Sequence, residues 1–86
     1  MHFLIRIFSE DDISVKTENG INYPVVRQNN KGIISKCPFC LKRHTHGLGD
    51  GHRLTHCSDN SSNLIDIVII NKLICHRRNG YIIKNN

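Results

Sequence analysis

Seven cysteine and histidine side chains crowd into residues 37–57 of this 86-residue chain. The segment begins with Cys37-Pro38-Phe39-Cys40, continues through His44, His46 and His52, and ends with His56-Cys57. Thiolate and imidazole are ligands that Zn²⁺ prefers, and a Cys-x-x-Cys pair followed by later His and Cys residues is typical of a tetrahedral site. The sequence therefore predicts a zinc site, which would help to stabilise a chain too short for a large core.

Local geometry limits which of these side chains bind the ion. The spacing of Cys37 and Cys40 lets both sulfurs converge, and a third thiolate suits a closed structural site. Side chains two apart on a strand share a face, whereas adjacent side chains point to opposite faces, so His56 and Cys57 should not both bind. We predict the ligands Cys37, Cys40, His46 and Cys57, with His44 and His56 as alternates.

A catalytic metal keeps one coordination position open for water and usually has a carboxylate nearby as a base. Asp50 is the one acidic residue between Cys37 and Cys57, and it lies in a glycine-rich loop. We therefore expect a structural ion, no enzymatic activity and no small-molecule substrate. Cys75 lies far along the chain, and we expect it to be a small core residue.

The charge of the chain is uneven. The net charge is +5, and residues 31–86 hold nine Lys and Arg against three Asp, whereas residues 1–30 hold three basic and four acidic groups. A basic surface beside a metal site suits a polyanion such as DNA or RNA. The candidate nucleic-acid contacts are Lys42, Arg43, Arg53, Arg77 and Arg78.

The hydrophobic pattern predicts one α+β domain, a small β-rich, zinc-ribbon-like unit. Residues 1–36 alternate as strands and form β-hairpins, one of them turning at Asn19-Gly20. Residues 37–57 form the zinc motif, in which a glycine loop joins two paired arms. Residues 58–86 should contain a helix over 64–78 and a final strand, because Arg77, Arg78 and Gly80 resemble a helix end. The Ile and Val content of 64–78 leaves a strand open as the alternative.

The chain contains no apolar run long enough to span a membrane. The apolar start of the chain has no basic leader and runs into acidic residues, so we expect no signal peptide and no membrane partner. Four cysteines without such a signal favour thiols and metal over disulfides. We expect the protein in the cytoplasm of its host cell.

Residues 37–47 have the motif C-P-F-C-x3-H-x-H-G, which continues with Gly51-His52-Arg53 and His56-Cys57 and later with Gly80-Tyr81. This combination resembles small uncharacterised phage and prophage proteins of actinobacterial mobile elements. That resemblance implies a zinc site and a mobile-element setting. A weaker similarity, carried by Cys37-Pro38-Phe39 and residues 64–68, is to the zinc-ribbon domain of bacterial primases. The second Cys-x-x-Cys of that domain is absent here.

These observations lead to two hypotheses. The first is a non-enzymatic zinc-binding protein that binds nucleic acid as an accessory or regulatory factor of a phage or mobile element. The second is a zinc-stabilised protein-interaction module, such as a phage-encoded inhibitor or adaptor of a host protein. The sequence does not name the partner.

Overall fold

The fold is built almost entirely from short β-strands. The computed structural model describes residues 5–9 and 12–85. Its strands, in chain order, are β1 (Ile5–Phe8), β2 (Ser14–Glu18), β3 (Ile21–Val26), β4 (Ile33–Ile34), β5 (His44–Thr45), β6 (Gly51–Arg53), β7 (Ile67–Ile70), β8 (Leu73–His76) and β9 (Tyr81–Ile83).

The largest sheet has the strand order β2-β3-β9-β6. Strands β2 and β3 form the predicted hairpin, and both turn residues, Asn19 and Gly20, have positive φ angles of 52° and 79°. This turn matches the right-handed twist of the two strands, which is why Asn-Gly favours it. Strand β9 then pairs in parallel with β3 and antiparallel with β6, which brings the C-terminal segment into the centre of the sheet.

A second sheet has the order β1-β7-β8. Strand β1 pairs in parallel with β7, and β7 pairs antiparallel with β8. Val68 and Ile70 point inward and are fully buried, whereas Ile67 and Ile69 are half-buried on the outer face. The part of the alternating pattern that falls on residues 1–4 lies outside the described residues.

The predicted α+β class with a C-terminal helix is wrong. Residues 64–78 contain β7, a turn and β8, and the basic end forms one 3-10 turn, Arg77–Asn79. The length of the segment favours a single helix, but Asn71 and Lys72 adopt positive φ angles of 49° and 65° and reverse the chain midway. The Ile and Val residues around them are stiff at χ1 and pack well on a sheet, so two strands form.

The two arms of the glycine loop also pair differently from the prediction. Strand β5 pairs with β4 in a two-stranded sheet, while β6 pairs with β9 in the largest sheet. The loop therefore carries the chain from one sheet to another instead of closing a hairpin. This crossing places the residues after β6 back beside the cysteine pair.

The core lies between the sheets and reaches the cysteine motif. Phe39, Val68, Ile70, Tyr81 and Ile83 are among its fully buried members. Cys75 is buried with them, in agreement with the prediction, and burial raises the pKa of its thiol to about 11. Within residues 5–9 and 12–85 no helix has the length and apolar character needed to cross a membrane.

Candidate metal centre

The turn that carries the first two cysteines is held by backbone hydrogen bonds. The N–H of Leu41 donates to the carbonyl of Cys37 (2.8 Å), and the N–H of Cys37 donates to the carbonyl of Lys42 (2.8 Å). The N–H of Phe39 points at the Cys37 Sγ from 3.4 Å. Leu41 reverses the chain with a φ of 63°. An N–H aimed at sulfur favours the thiolate, which is the form that binds a metal.

Four side chains converge on one point. The Sγ atoms of Cys37, Cys40 and Cys57 and one ring nitrogen of His44 all lie within 4.8 Å of one another. The sulfurs of Cys37 and Cys57 are 3.7 Å apart, and the His44 Nε2 lies 3.2 Å from the Cys40 Sγ and 3.9 Å from the Cys57 Sγ. Zinc–sulfur bonds of about 2.3 Å in a tetrahedron put two sulfurs about 3.8 Å apart. The four residues can therefore hold one metal ion, and their spacing and donor chemistry fit zinc.

The structure groups His44, one of the two alternates in the sequence prediction, with the three cysteines. His44 and His46 do share one side of the chain, and their rings stack with centroids 6.4 Å apart. However, the His46 Nε2 lies 2.6 Å from the hydroxyl of the buried Tyr81. His46 is thus outside the four-residue group, as is the exposed His56, whose ring centroid is 5.3 Å from that of His46.

Burial opposes charge on the separate ligands. It raises the pKa of the Cys37 and Cys57 thiols and lowers the pKa of the His44 imidazole. The pKa of Tyr81 is also raised, first by burial and then by the neighbouring cysteines. A divalent cation reverses this effect for the thiols because it binds and stabilises the thiolate. A metal ion bound here would therefore replace the buried thiol protons.

Arg6 anchors the metal turn to strand β1, a role that sequence reasoning missed. Its guanidinium donates to the carbonyls of Pro38 (2.8 Å), Phe39 (3.3 Å) and Asn63 (2.7 Å). The sequence pattern gives no signal for this role, because alternation with Ile5 and Ile7 predicts an outward-facing Arg6. In the structure Ile5 and Ile7 are exposed and Arg6 is half-buried on the inner face. A charge at such a position needs a partner, and here carbonyl groups supply it.

The five predicted nucleic-acid contacts fall into two groups. Lys42, Arg43 and Arg78 are exposed. The guanidinium of Arg53 donates to carbonyls of the glycine loop and of His52, and Arg77 forms an ion pair with Asp66 at 2.7 Å. Arg53 and Arg77 therefore have partners inside the protein, whereas the charged groups of Lys42, Arg43 and Arg78 are exposed to solvent.

The arrangement is a closed site. Cys37, Cys40 and His44 are buried and Cys57 is half-buried, and together they supply the four ligands that a structural zinc takes. Such a site links residues 37–44 to residue 57 and so holds the small sheet of β4 and β5 against the segment that follows β6. The chain matches no protein-family model, no curated protein and no solved structure.

Proposed function

We propose that this chain is a zinc-stabilised, non-enzymatic β domain that binds nucleic acid as an accessory or regulatory factor of a phage or other mobile element. The mobile-element setting rests on the resemblance of the cysteine motif. The non-enzymatic role is supported by the four-ligand site, which fills the tetrahedral coordination of zinc and leaves no position for water. Four free cysteines suit the reducing cytoplasm of a host cell.

Uncompensated positive charge is the observation that carries the proposal. Of twelve Lys and Arg side chains, Lys16 and Arg77 are the two that pair with a carboxylate, at Glu18 and Asp66, among residues 5–9 and 12–85. Lys42 and Arg43 project from the turn that joins Cys40 to His44 and are exposed. A surface of unpaired cations attracts phosphates over several ångströms and binds them without reading sequence.

Salt-dependent binding tests this function. Zinc-loaded protein is titrated into labelled DNA and RNA, single-stranded and duplex, and fluorescence anisotropy is followed at about 50 and 200 mM salt. If six phosphates are contacted, affinity should fall by about 10³-fold over that range, because the release of condensed counterions is less favourable at the higher salt concentration. The proposal fails if none of these nucleic acids binds at the lower salt.

A second candidate function, a protein-interaction module, is favoured by an apolar face on the sheet β1-β7-β8. Register places Ile5, Ile7, Ile67, Ile69 and Ile74 on the outer face of that sheet. Ile7 is 75% exposed, Ile74 50% and Ile5 47%. An exposed cluster of large apolar side chains is unusual in a small soluble domain and often marks a binding surface.

Substitution within this face tests the second candidate. The tagged protein and its Ile7→Asp variant are expressed in the host, and the proteins that co-purify are compared. A host protein bound through this face should be lost with Ile7→Asp and kept with Leu48→Asp, since Leu48 is 65% exposed in the glycine loop, outside the face. Retention of the same partner by Ile7→Asp would rule out this interface.

A further inference from the structure

An open groove of about 910 Å³ lies between the metal turn and the base of the β2–β3 hairpin. Three cations line it: Arg27 directly after β3, Lys36 directly before Cys37, and Lys84 directly after β9. These are not the cations that the sequence pattern singled out. They come from three distant parts of the chain and are brought together by the fold.

The parallel pairing of β3 and β9 brings two of these cations to the same end of the sheet. The last pairs in register are Val25 with Ile82 and Val26 with Ile83, and the N–H of Lys84 donates to the carbonyl of Val26 at 2.9 Å. Arg27 and Lys84 therefore directly follow the last paired residues of the two strands, at the same end of the sheet. Two like charges at neighbouring strand ends repel each other, and an anion bound between them would relieve that repulsion.

The groove offers little negative charge in the part of the chain that the structure describes. Asp12 is its one acidic lining residue there, and neither Arg27, Lys36 nor Lys84 forms an ion pair with a described carboxylate. The apolar lining residues that keep some exposure are the half-buried Phe8, Ile13 and Val25, whereas Val26, Ile34 and Pro38 are buried. The described lining thus combines three positive charges and one carboxylate with a partly exposed apolar surface that includes one aromatic ring.

This combination matches the chemistry of an unpaired polynucleotide strand. Proteins that bind single strands use a positively charged groove to follow the phosphates and apolar or aromatic side chains to cover the base faces. A duplex keeps its bases stacked inside and presents a convex wall of phosphates, so its bases cannot reach the apolar lining of a concave site. Charge and shape together favour the single strand.

We propose that this groove binds single-stranded nucleic acid, with Arg27, Lys36 and Lys84 contacting its phosphates. The inference rests on the proposed function and gives it a location and a class of substrate. It also gives the metal a role in binding. Because Lys36 precedes Cys37 and Pro38 follows it, an ion held by Cys37 would order one wall of the groove.

The test compares two double variants that remove the same charge. Arg27→Gln with Lys84→Gln alters the groove, whereas Lys31→Gln with Lys72→Gln removes two exposed cations that do not line it. Each zinc-loaded protein is titrated with labelled oligo(dT), with a duplex of equal length, and with poly-glutamate as an acidic polypeptide. Zinc content and the unfolding midpoint are measured first to show that the variants are folded.

The groove variant should bind oligo(dT) at least tenfold more weakly than the wild type, and the control variant should lose less than threefold. The slope of log affinity against log salt should fall by about 1.4 in the groove variant, since each lost phosphate contact on a single strand contributes about 0.7. Removing zinc with a chelator should weaken binding by a comparable factor.

The outcomes separate this inference from the proposed function. If the wild type binds no nucleic acid, both are wrong. If the wild type binds oligo(dT) and the two double variants weaken it equally, the groove is not the site and the proposed function stands. The single-strand assignment would be overturned if the wild type bound the duplex or poly-glutamate more tightly than oligo(dT) and the groove variant lost that tighter binding.

Discussion

Replacing His44 should cost the protein most of its metal affinity, whereas replacing His46 should not. Structural zinc sites contribute about 10–16 kcal/mol of binding free energy, which is roughly 3 kcal/mol for each of four ligands. His44→Ala should therefore weaken zinc binding by about 100-fold or more, at 1.4 kcal/mol for each factor of ten. The basis is the position of its Nε2, 3.2 Å from one ligand sulfur and 3.9 Å from another.

His46→Ala removes a different interaction. Its Nε2 is 2.6 Å from the buried hydroxyl of Tyr81, so the variant leaves that hydroxyl without a partner. A buried polar group in that state costs about 1–3 kcal/mol of folding stability. Zinc affinity should stay within about tenfold of the wild type, because all four ligands remain.

A competition titration against a chromophoric chelator measures both variants, with His56→Ala as the control because His56 is exposed and outside the cluster. X-ray absorption of the zinc-loaded proteins then counts sulfur and nitrogen neighbours. The wild type and the His46→Ala variant should show three sulfurs and one nitrogen, whereas His44→Ala should lose the nitrogen. Near-normal affinity in His44→Ala together with a 100-fold loss in His46→Ala would refute the assignment.

Three further outcomes follow from other contacts. Arg6→Gln should lower the free energy of unfolding by at least about 2 kcal/mol, since Arg6 makes three hydrogen bonds and a single one from a charged donor contributes about 1.5–3 kcal/mol. Urea unfolding measures this change, and an unchanged midpoint would contradict it. Gly80→Ala should lower the free energy of unfolding by about 3 kcal/mol in the same assay, because the φ of Gly80 is +80° and the added Cβ would meet the Arg53 carbonyl. Gly47→Ala is the control, since the space around Gly47 is open. The zinc-free protein should be most stable between pH 6.5 and 9.0, which are the ordinary pKa values of a histidine and a cysteine side chain. Burial lowers the pKa of His44, so the free energy of unfolding falls as the pH drops below 6.5. Burial raises the thiol pKa values, so the free energy of unfolding also falls as the pH rises above 9.0. Urea unfolding with a chelator across this range checks it, and stability that changes in one direction throughout would contradict it.

Local features of the sequence were enough to predict the hairpin and a cluster of residues that could hold a metal ion. Asn19-Gly20 specifies its turn through backbone preferences that need no distant contact. Cys37 and Cys40 are close in the chain, so their convergence follows from the turn between them. In both cases the interacting groups are only a few residues apart in the chain, so their spacing in the sequence is enough to predict the local structure.

Tertiary structure decided what depends on distant partners. Residues 64–78 have the composition of a strand and the length of a helix, and pairing of β1 with β7 settles the choice by giving the β-branched side chains a sheet to pack on. His44 and His46 are equivalent by alternation, and they differ because Tyr81, 35 residues further on, lies beside His46. The sequence by itself therefore determined a zinc-type donor set, and the folded chain determined which histidine joins it and which cations share a groove. The physical reason is that ligation and charge pairing depend on distances of a few ångströms between elements, and only the packed sheets set those distances.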